Sequence, residues 1–423
     1  MKKNKLLLPL LLVGSLIGLT GCSLFDDADI AIHNEYNPNP YPPEDPDAVV
    51  AGGVKASTNE KTPDALCFKN ICYAKDDKIT NSYKGTEFNI NNDEDYYGNR
   101  SSNNYDLYVP NGLTKTAKQT VLLFIHGGAW VSGFKTDVNS YVQDFANRGY
   151  ITATIKYTLL RKEMDDPTRS IFRNLDEIND CIVSIKEVLG ELEFDTSKIS
   201  LVIGGASSGA HLAMLYAYSR NATSALPIKF IVDAVGPVDI KPDNWKSFID
   251  DSDSVLDGGL SWDAISGQPG NLGTLNMAGM GVNWNEYQTM RIANGMCGLP
   301  HTNDEVAAST TNETTITNPN AASTLMTKAD GGEDQLSVTY WIEKSANKLP
   351  IICAYAGKDS IVGIAQYAKL DKVLTENGIT QEAGKRAYYY FKNSDHQQIN
   401  ATADETTYNA FVGNIADWLA ATL

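Results

Sequence analysis

The sequence predicts an α/β fold, a mostly parallel and doubly wound sheet, with an insertion after the sixth strand region. From about residue 100 the chain alternates β-rich and amphipathic segments, an order that favours a parallel sheet covered by helices on both faces. The segment 120–126 is continuously apolar, as expected of a strand buried on both faces. The segment 237–336 interrupts the alternation, because it is rich in Gly, Asn, Thr, Asp and Ser.

The predicted elements follow one another in the order that such a sheet requires. Strands are expected at 105–109, 120–126, 150–156, 199–203, 228–235, 349–356 and 387–391. Helices are expected at about 138–148, 170–190, 209–219, 338–346, 363–377 and 405–421. We interpret 237–336 as a cap-like insertion over the functional edge of the sheet, with a disordered excursion as the alternative.

The composition is that of a folded acidic protein. Asp and Glu number 52 against 35 Lys and Arg, which gives a formal net charge of -17 at pH 7. This charge argues against nucleic-acid binding, because phosphate backbones bind surfaces rich in Lys and Arg. It also argues against attachment to anionic lipid by charge alone.

The amino-terminal segment 1–21 has the pattern of an export signal. Lys2 and Lys3 precede the apolar run 6–19, and small residues then precede Cys22. The run is short for a bilayer span and typical of a secretory signal. The pattern resembles the lipobox of bacterial lipoproteins, which implies cleavage before Cys22 and acylation of that cysteine. An ordinary signal peptide with an incidental cysteine is the alternative.

The segment 22–60 is expected to be a flexible acidic and proline-rich tether that precedes a domain at 61–423. The run Asn-Pro-Asn-Pro-Tyr-Pro-Pro at 37–43 disfavours both helix and strand. With the lipid, this tether would anchor the domain to a membrane of the cell envelope, facing outside the cytoplasm.

Five cysteines follow Cys22, and an exported chain can form disulfides. Cys67 and Cys72 are the obvious local pair, whereas the pairing of the others is open. The spacing lacks the second Cys/His pair that a zinc site would need, so no metal site is expected. The others are Cys181, Cys297 and Cys353.

The central motif is Gly205-Ala206-Ser207-Ser208-Gly209, between the predicted strand 199–203 and the helix 209–219. The flanking glycines allow a sharp strand-to-helix turn that exposes the hydroxyl of Ser207. The helix amino terminus behind it favours developing negative charge. This context predicts that Ser207 is a nucleophile.

A second motif, His126-Gly127-Gly128-Ala129-Trp130, ends the buried strand 120–126. Small residues there let backbone N–H groups approach a substrate oxyanion. The predicted oxyanion hole is formed by the N–H groups of Gly127, Gly128 and Ser208. Without the serine motif, a plain glycine turn would be the better interpretation.

A serine nucleophile needs a base and an orienting acid, which follow it in the order Asp or Glu and then His. Asp359 follows the strand 349–356, and His396 follows the strand 387–391. Both are therefore expected at the carboxyl edge of the sheet, where open α/β sheets bind ligands. Asp395 is an alternative acid, although it is adjacent to the histidine.

The chain has five histidines, and elimination favours His396 as the base. His33 lies in the tether, and His126 belongs to the oxyanion motif, which it is expected to shape. His211 lies on the helix after the serine and is expected to be packed or hydrogen-bonded. His301 lies in the insertion, where a surface position is favoured over a metal ligand.

From about residue 103 to 420 the chain resembles the α/β-hydrolase superfamily, in the esterase branch with an HGG-[GA]-W loop. The run GASSGAHLA at 205–213 is similar to the G-x-S-A-G-G-H-L-A motif of feruloyl-esterase-like, kynurenine-formamidase-like and acetyl-esterase-like carboxylesterases. The run KYTL at 156–159 resembles the Y-R-L of that group, and 195–199 resembles its D-P-x-[KR]-I. Ser208, Ala210 and Thr158 depart from the usual Ala, Gly and Arg.

The resemblance implies hydrolysis of carboxylic esters, or of amides in some members, without a cofactor. The implied substrate is a small-molecule or polysaccharide-linked ester, while acyl-chain length and oligomeric state are open. One alternative is a binding lipoprotein that kept the fold and lost turnover, since fold alone does not establish function. A peptidase or lactonase on the same fold is another.

Overall fold

A computed structural model of the chain describes the central sheet and the helices that pack on it. The residues it describes are 44–49, 55–59, 62–73, 104–130, 133–159, 171–239, 255–256, 260–261, 333–359, 362–396 and 401–423. The predicted signal 1–21, Cys22 and most of the insertion 237–336 lie outside the described residues, as do His33, His301 and Cys297.

Among the described residues, ten strands form one sheet, and two further strands of two residues each form a separate hairpin. In chain order the strands are β1 (Glu44–Val49), β2 (Lys55–Asn59), β3 (Thr62–Cys72), β4 (Asn104–Pro110), β5 (Gln119–Ile125), β6 (Ile151–Lys156), β7 (Ile199–Ala206), β8 (Ile228–Ala234), β9 (Val255–Leu256), β10 (Leu260–Ser261), β11 (Ile351–Ala356) and β12 (Arg386–Phe391). The order across the large sheet is β1-β2-β3-β4-β6-β5-β7-β8-β11-β12.

The sheet has an antiparallel side and a parallel side. β1 to β4 pair antiparallel with their neighbours, and β4 also pairs antiparallel with β6. The other six strands of this sheet, in the order β6-β5-β7-β8-β11-β12, pair parallel with their neighbours. The carboxyl ends of these six parallel strands therefore meet at one edge, which confirms the predicted fold class.

The helices cover both faces of the sheet. They are α1 (Asn139–Asn147), α2 (Ile171–Glu191), α3 (Ser208–Arg220), α4 (Val338–Lys344), α5 (Ile364–Glu376) and α6 (Ala401–Thr422). Residues of α2, α3, α4 and α5 belong to one buried apolar cluster, and residues of α1 and α6 belong to a second.

Strand β5 shows why the core divides into two clusters. Its side chains alternate between the faces, so Val121 and Leu123 join the α2–α5 cluster while Leu122 and Phe124 join the α1–α6 cluster. All of β5 is buried, because helices cover both faces. Its continuous apolar run is the sequence signature of that burial.

The amino-terminal part of the sheet corrects one prediction. β1 and β2 fall within residues 22–60, which were expected to be a tether throughout. β2 pairs with β3, and β1 pairs with β2, so the chain is already part of the sheet before residue 60. Hydrogen bonds to the neighbouring strand hold these segments in strand conformation, although their own sequence has little apolar alternation.

The predicted insertion 237–336 falls between β8 and α4, and most of it lies outside the described residues. The described residues run from β8 to residue 239 and, apart from the hairpin of β9 and β10, resume at residue 333. The side chain of Cys72 lies outside the described residues, so the disulfide expected between Cys67 and Cys72 stays a prediction. Cys181 and Cys353 are buried thiols. No helix within the described residues is both long and apolar enough to cross a bilayer.

Candidate active site

Ser207 is the single residue that connects β7, which ends at Ala206, to α3, which begins at Ser208. Its backbone has φ 54° and ψ -125°, a conformation that is costly for a residue with a side chain. The N–H of Ser207 donates to the carbonyl of Ala234 in β8 at 2.8 Å. The neighbouring strand thus supports the strained turn that presents the hydroxyl.

Two glycines make this turn possible. A Cβ atom on Gly205 would lie 2.3 Å from the carbonyl carbon of Gly209, so the strand and the first helical turn touch through backbone. A Cβ atom on Gly209 would lie 2.2 Å from the carbonyl oxygen of Ile125 in β5. The G-x-S-x-G spacing therefore reflects two close backbone approaches, one on each side of Ser207.

Three side chains from three loops meet at the carboxyl edge of the parallel strands. His396 Nε2 lies 2.9 Å from Ser207 Oγ, and His396 Nδ1 lies 2.6 Å from Asp359 Oδ2. A carboxylate only accepts, so Nδ1–H donates to Asp359, and the free lone pair of Nε2 is left to accept the hydroxyl proton. This geometry suits a base that activates a nucleophile.

Burial differs along this row of side chains. The Asp359 side chain is 0% exposed and that of His396 is 12% exposed, so the acid is buried and the imidazole is partly accessible to solvent. The second carboxylate oxygen, Asp359 Oδ1, accepts the N–H of Val362 at 2.8 Å. Both oxygens of the buried carboxylate are therefore hydrogen-bonded, as a buried charge requires. Asp395, the alternative acid, is exposed.

Asp404 in the first turn of α6 holds the loop that carries His396. Its Oδ2 accepts the hydroxyl of Ser394 at 2.7 Å and the N–H of Asn393 at 3.0 Å. The carbonyl of Ser394 in turn accepts the N–H of Lys358, beside Asp359, at 3.0 Å. The acid loop and the base loop are thus hydrogen-bonded to each other and to α6.

The predicted oxyanion loop lies against the serine. A Cβ atom on Gly127 would be 3.2 Å from Ser207 Cβ and 3.0 Å from the carbonyl oxygen of Ala206. Gly128 has φ 112°, which glycine adopts readily and other residues rarely do. Gly127 and Gly128 are partly exposed, so part of their backbone is accessible to solvent beside Ser207.

His126 shapes this loop. Its Nδ1 lies 2.7 Å from the carbonyl oxygen of Gly127, which only accepts, so Nδ1 carries the proton. The ring is fully buried and stacks on Tyr157, with 4.4 Å between ring centroids. Burial lowers the pKa of His126 to about 4, and the Gly127 carbonyl partly opposes that shift. The neutral His126 imidazole therefore donates a hydrogen bond that fixes the orientation of the Gly127 carbonyl.

Comparison with known proteins adds a family match for the centre of the chain. The sequence profile of the family BD-FAE matches residues 105–257, about a third of the 423 residues. The match includes the oxyanion loop and the serine motif, and it ends before the described Asp359 and His396 loops.

Curated relatives cover the same region. The probable isoprenylcysteine alpha-carbonyl methylesterase ICME of Oryza sativa subsp. japonica is 32% identical over 117 residues, 28% of this chain and 26% of that protein. ICMEL1 of Arabidopsis thaliana, with the same description, is 31% identical over 117 residues, 28% of this chain and 22% of that protein. The chain spans about a quarter of the length of these relatives.

Among solved structures, a truncated carbohydrate esterase from gut microbiota aligns over 86% of this chain and 99% of that chain. The TM-score is 0.49 and the sequence identity is 13%. The strand order from β3 to β12, with the antiparallel β4 and the serine turn after β7, decides the fold. The chain has the α/β-hydrolase fold.

One departure from the esterase pattern within this α/β-hydrolase fold has a structural explanation. Thr158 replaces the usual Arg, and its N–H and hydroxyl donate to the two carboxylate oxygens of Glu177 in α2, at 2.8 and 2.6 Å. Arg173 donates to the same carboxylate at 3.0 Å from one helical turn away. The buried Glu177 thus receives a positive partner from its own helix.

The structure brings together Ser207, Asp359, His396 and the Gly127–Gly128 loop. Asp404 belongs to none of the sequence motifs, although an Asp in the first turn of the helix after the base loop is a usable signal. The contact between Trp130 and His211, whose side-chain nitrogens are 3.2 Å apart, was not predicted from the sequence. Both residues belong to quoted motifs, which is the only sequence hint of their pairing.

Proposed function

We propose that this protein is a carboxylic ester hydrolase that acts through Ser207, His396 and Asp359. The observation that carries the proposal is the continuous contact from Asp359 Oδ2 through the imidazole to Ser207 Oγ, at 2.6 and 2.9 Å. The family match at 105–257 and the methylesterase relatives support the same reaction class.

In the proposed reaction, Ser207 Oγ attacks the ester carbonyl while His396 Nε2 takes the hydroxyl proton. Asp359 stabilises the resulting imidazolium. The N–H groups of Gly127, Gly128 and Ser208 donate hydrogen bonds to the negative oxygen of the tetrahedral intermediate. Loss of one such donor typically lowers kcat by about 10²–10³. The imidazolium protonates the departing alcohol, and water then releases the acid from Ser207 with His396 as the base.

A binding protein without turnover is the rival from another functional class. Such a protein has no need of a buried, doubly hydrogen-bonded Asp359 or of a strained Ser207 turn, and both features are present. Strain of this kind persists where the surrounding structure maintains it, and it is concentrated at functional sites. A peptidase or lactonase would use the same groups and differs only in the acyl compound bound.

We further propose an exported, lipid-anchored enzyme that acts on esters of small molecules or polysaccharides outside the cytoplasm. The support is the segment 1–21 with its basic start and apolar run, followed by Cys22. Cys22→Ala should move the protein from the membrane fraction to the soluble fraction and abolish labelling by palmitate. Membrane attachment of that variant would contradict the anchor and leave the esterase proposal untouched.

The decisive test of the activity compares wild type with Ser207→Ala and Ser197→Ala. Wild type and Ser197→Ala should hydrolyse p-nitrophenyl acetate and react with a fluorophosphonate probe, because Ser197 lies at the amino end of β7. Ser207→Ala should do neither, and mass spectrometry should locate the probe on Ser207. Retention of most activity by Ser207→Ala would refute the assignment. Acyl-chain series, acetylated sugars, lactones and peptides would then separate the substrate classes.

A further inference from the structure

His211 connects two parts of the fold that are distant in sequence. It lies fully buried in α3, one helical turn after Ser207. Its Nδ1 is 3.2 Å from the indole Nε1 of Trp130, and its Nε2 is 2.8 Å from the carbonyl oxygen of Leu336. The imidazole therefore bridges the end of the oxyanion loop and the segment where the chain re-enters the core.

The two partners determine which nitrogen of His211 carries the proton. An indole N–H only donates and a carbonyl oxygen only accepts. Nδ1 therefore accepts from Trp130, and Nε2–H donates to Leu336, so one neutral tautomer satisfies both partners. Burial lowers the pKa of His211 to about 4, in agreement with a neutral ring.

Trp130 ends the oxyanion loop in a strained backbone. Ala129 and Trp130 have φ values of 51° and 64°, in the left-handed region that residues with side chains rarely adopt. Such a backbone persists only where surrounding contacts hold it. The indole is buried edge-on against His211, at 5.3 Å between ring centroids and an interplanar angle of 89°.

The Leu336 end is fixed as well. We call the paired segments 237–239 and 336–338 the neck. The N–H of Val338 donates to the carbonyl of Val238 at 2.8 Å, which joins the two segments. The side-chain oxygen of Gln366 in α5 accepts the N–H of Val238 at 2.7 Å, which joins the neck to the core.

We propose that His211 is a positioning residue of the oxyanion hole. It fastens Trp130 to the neck and thereby holds Gly127 and Gly128 at a set place beside Ser207. This inference rests on the proposed esterase function, and it extends that function to a residue that does not touch the substrate. It requires both hydrogen bonds of the ring, whereas a packing role requires only a side chain of similar size.

Three variants separate these roles. His211→Gln keeps one acceptor and one donor at about the spacing of the imidazole nitrogens, and His211→Phe keeps a ring without either. Trp130→Phe replaces the indole by a smaller ring that has no N–H. Tyr218→Phe is the control, because it removes another buried hydrogen bond from α3, that to the carbonyl of Leu349 at 3.2 Å.

The measurements are kcat and KM for p-nitrophenyl acetate and the inhibition constant of a boronic acid, which forms a tetrahedral adduct with the serine. His211→Phe should lower kcat and weaken boronate binding by about tenfold to 100-fold, with KM little changed, since a misplaced donor acts on the tetrahedral state. Trp130→Phe should show the same pattern. A variant with both Trp130→Phe and His211→Phe should lose no more kcat than His211→Phe alone. His211→Gln should recover most of the loss, and Tyr218→Phe should behave as wild type.

Equal losses in His211→Gln and His211→Phe, or a His211→Phe enzyme with wild-type kcat, would overturn the positioning role. If His211→Phe does not fold, Trp130→Phe tests the positioning role instead, because it leaves the His211 imidazole and its hydrogen bond to Leu336 in place. Wild-type kcat and boronate affinity in Trp130→Phe would overturn the role. A wild type that neither hydrolyses ester nor binds boronate would instead refute the esterase function itself. The two failures are therefore distinguishable.

Discussion

His396 Nε2 lies 2.9 Å from Ser207 Oγ, although 189 positions of sequence separate the two residues. The same ring meets Asp359 at 2.6 Å through its other nitrogen. Because β7, β11 and β12 are parallel, the loops that follow them leave the sheet at one edge. The proposed chemistry depends on this convergence, and four predictions follow from the contacts around it.

The first concerns the acid. Asp359→Asn should lower kcat by roughly 10³–10⁴ with little change in KM, because an amide no longer holds His396 in the tautomer that accepts the serine proton. Steady-state kinetics with p-nitrophenyl acetate measures this. Asp395→Asn is the matched control, since that carboxylate is exposed and adjacent to the base, and it should keep wild-type kcat. A larger loss in Asp395→Asn than in Asp359→Asn would reverse the assignment.

The second concerns Asp404, which accepts hydrogen bonds from Ser394 at 2.7 Å and from the Asn393 N–H. Asp404→Asn should lower kcat on the order of 10- to 100-fold by loosening the base loop, since a displacement of 1 Å at a reacting group can cost that much. KM should change little. Asp417→Asn, an exposed carboxylate on the same helix, should have no effect. Unaltered kinetics in Asp404→Asn would show that the loop holds its place without this carboxylate.

The third concerns the close backbone approach at the serine turn. Gly209→Ala would place a Cβ atom 2.2 Å from the Ile125 carbonyl oxygen and 2.4 Å from that of His126. We expect a loss of more than about 3 kcal/mol in the free energy of unfolding, or insoluble protein. Gly413→Ala in α6 meets nothing within 4 Å and should stabilise by about 0.5–1 kcal/mol. Urea denaturation compares the two, and a well-folded Gly209→Ala protein would contradict the packing described.

The fourth concerns Asp233 of β8, whose pKa burial raises to about 7 from an ordinary value of 3.8. Its Oδ1 accepts the N–H of Gly236 at 2.9 Å, and this bond and the one with the Tyr355 side chain partly oppose the rise in pKa. Between these pH values the folded state keeps a proton that the unfolded state has lost. Stability should therefore fall as pH rises from about 4 to about 7, by roughly 1.4 kcal/mol for each pKa unit.

Asp233→Asn removes that titration. The difference in free energy of unfolding between Asp233→Asn and wild type should increase, in favour of the variant, from pH 4.5 to pH 8. Urea melts at the two pH values measure it, and comparing the two proteins cancels the opposite contribution of His126 and His211, whose pKa values burial lowers to about 4. A pH-independent difference would show that Asp233 is ionised throughout.

Much of the core could be predicted because its signals are local. The helix predicted at 138–148 is observed at Asn139–Asn147, and the strand predicted at 120–126 is observed at Gln119–Ile125. Apolar periodicity reports which face of an element is buried, and glycine spacing reports where backbones touch. Ser207, Asp359 and His396 each follow a predicted strand, and the order of these strands placed the three residues on loops at one edge of the sheet.

Other features of the fold and the site depend on contacts with segments distant in sequence, which local sequence patterns do not indicate. The strands β1 and β2 were missed because their pairing with β3 is a property of the neighbouring strand. Asp395 remained an alternative to Asp359 until distance and burial separated the two carboxylates.

The sequence by itself determined the α/β architecture, the position of the serine turn and the three side chains proposed to react, because each follows from periodicity, glycine placement or chain order. Only the tertiary structure decided which contacts hold those groups in place: Asp404 on the base loop, and His211 between Trp130 and Leu336. These contacts join segments up to 125 residues apart, and their partners are chosen by how helices and strands pack. Packing is a property of the whole fold, so no stretch of sequence encodes it alone.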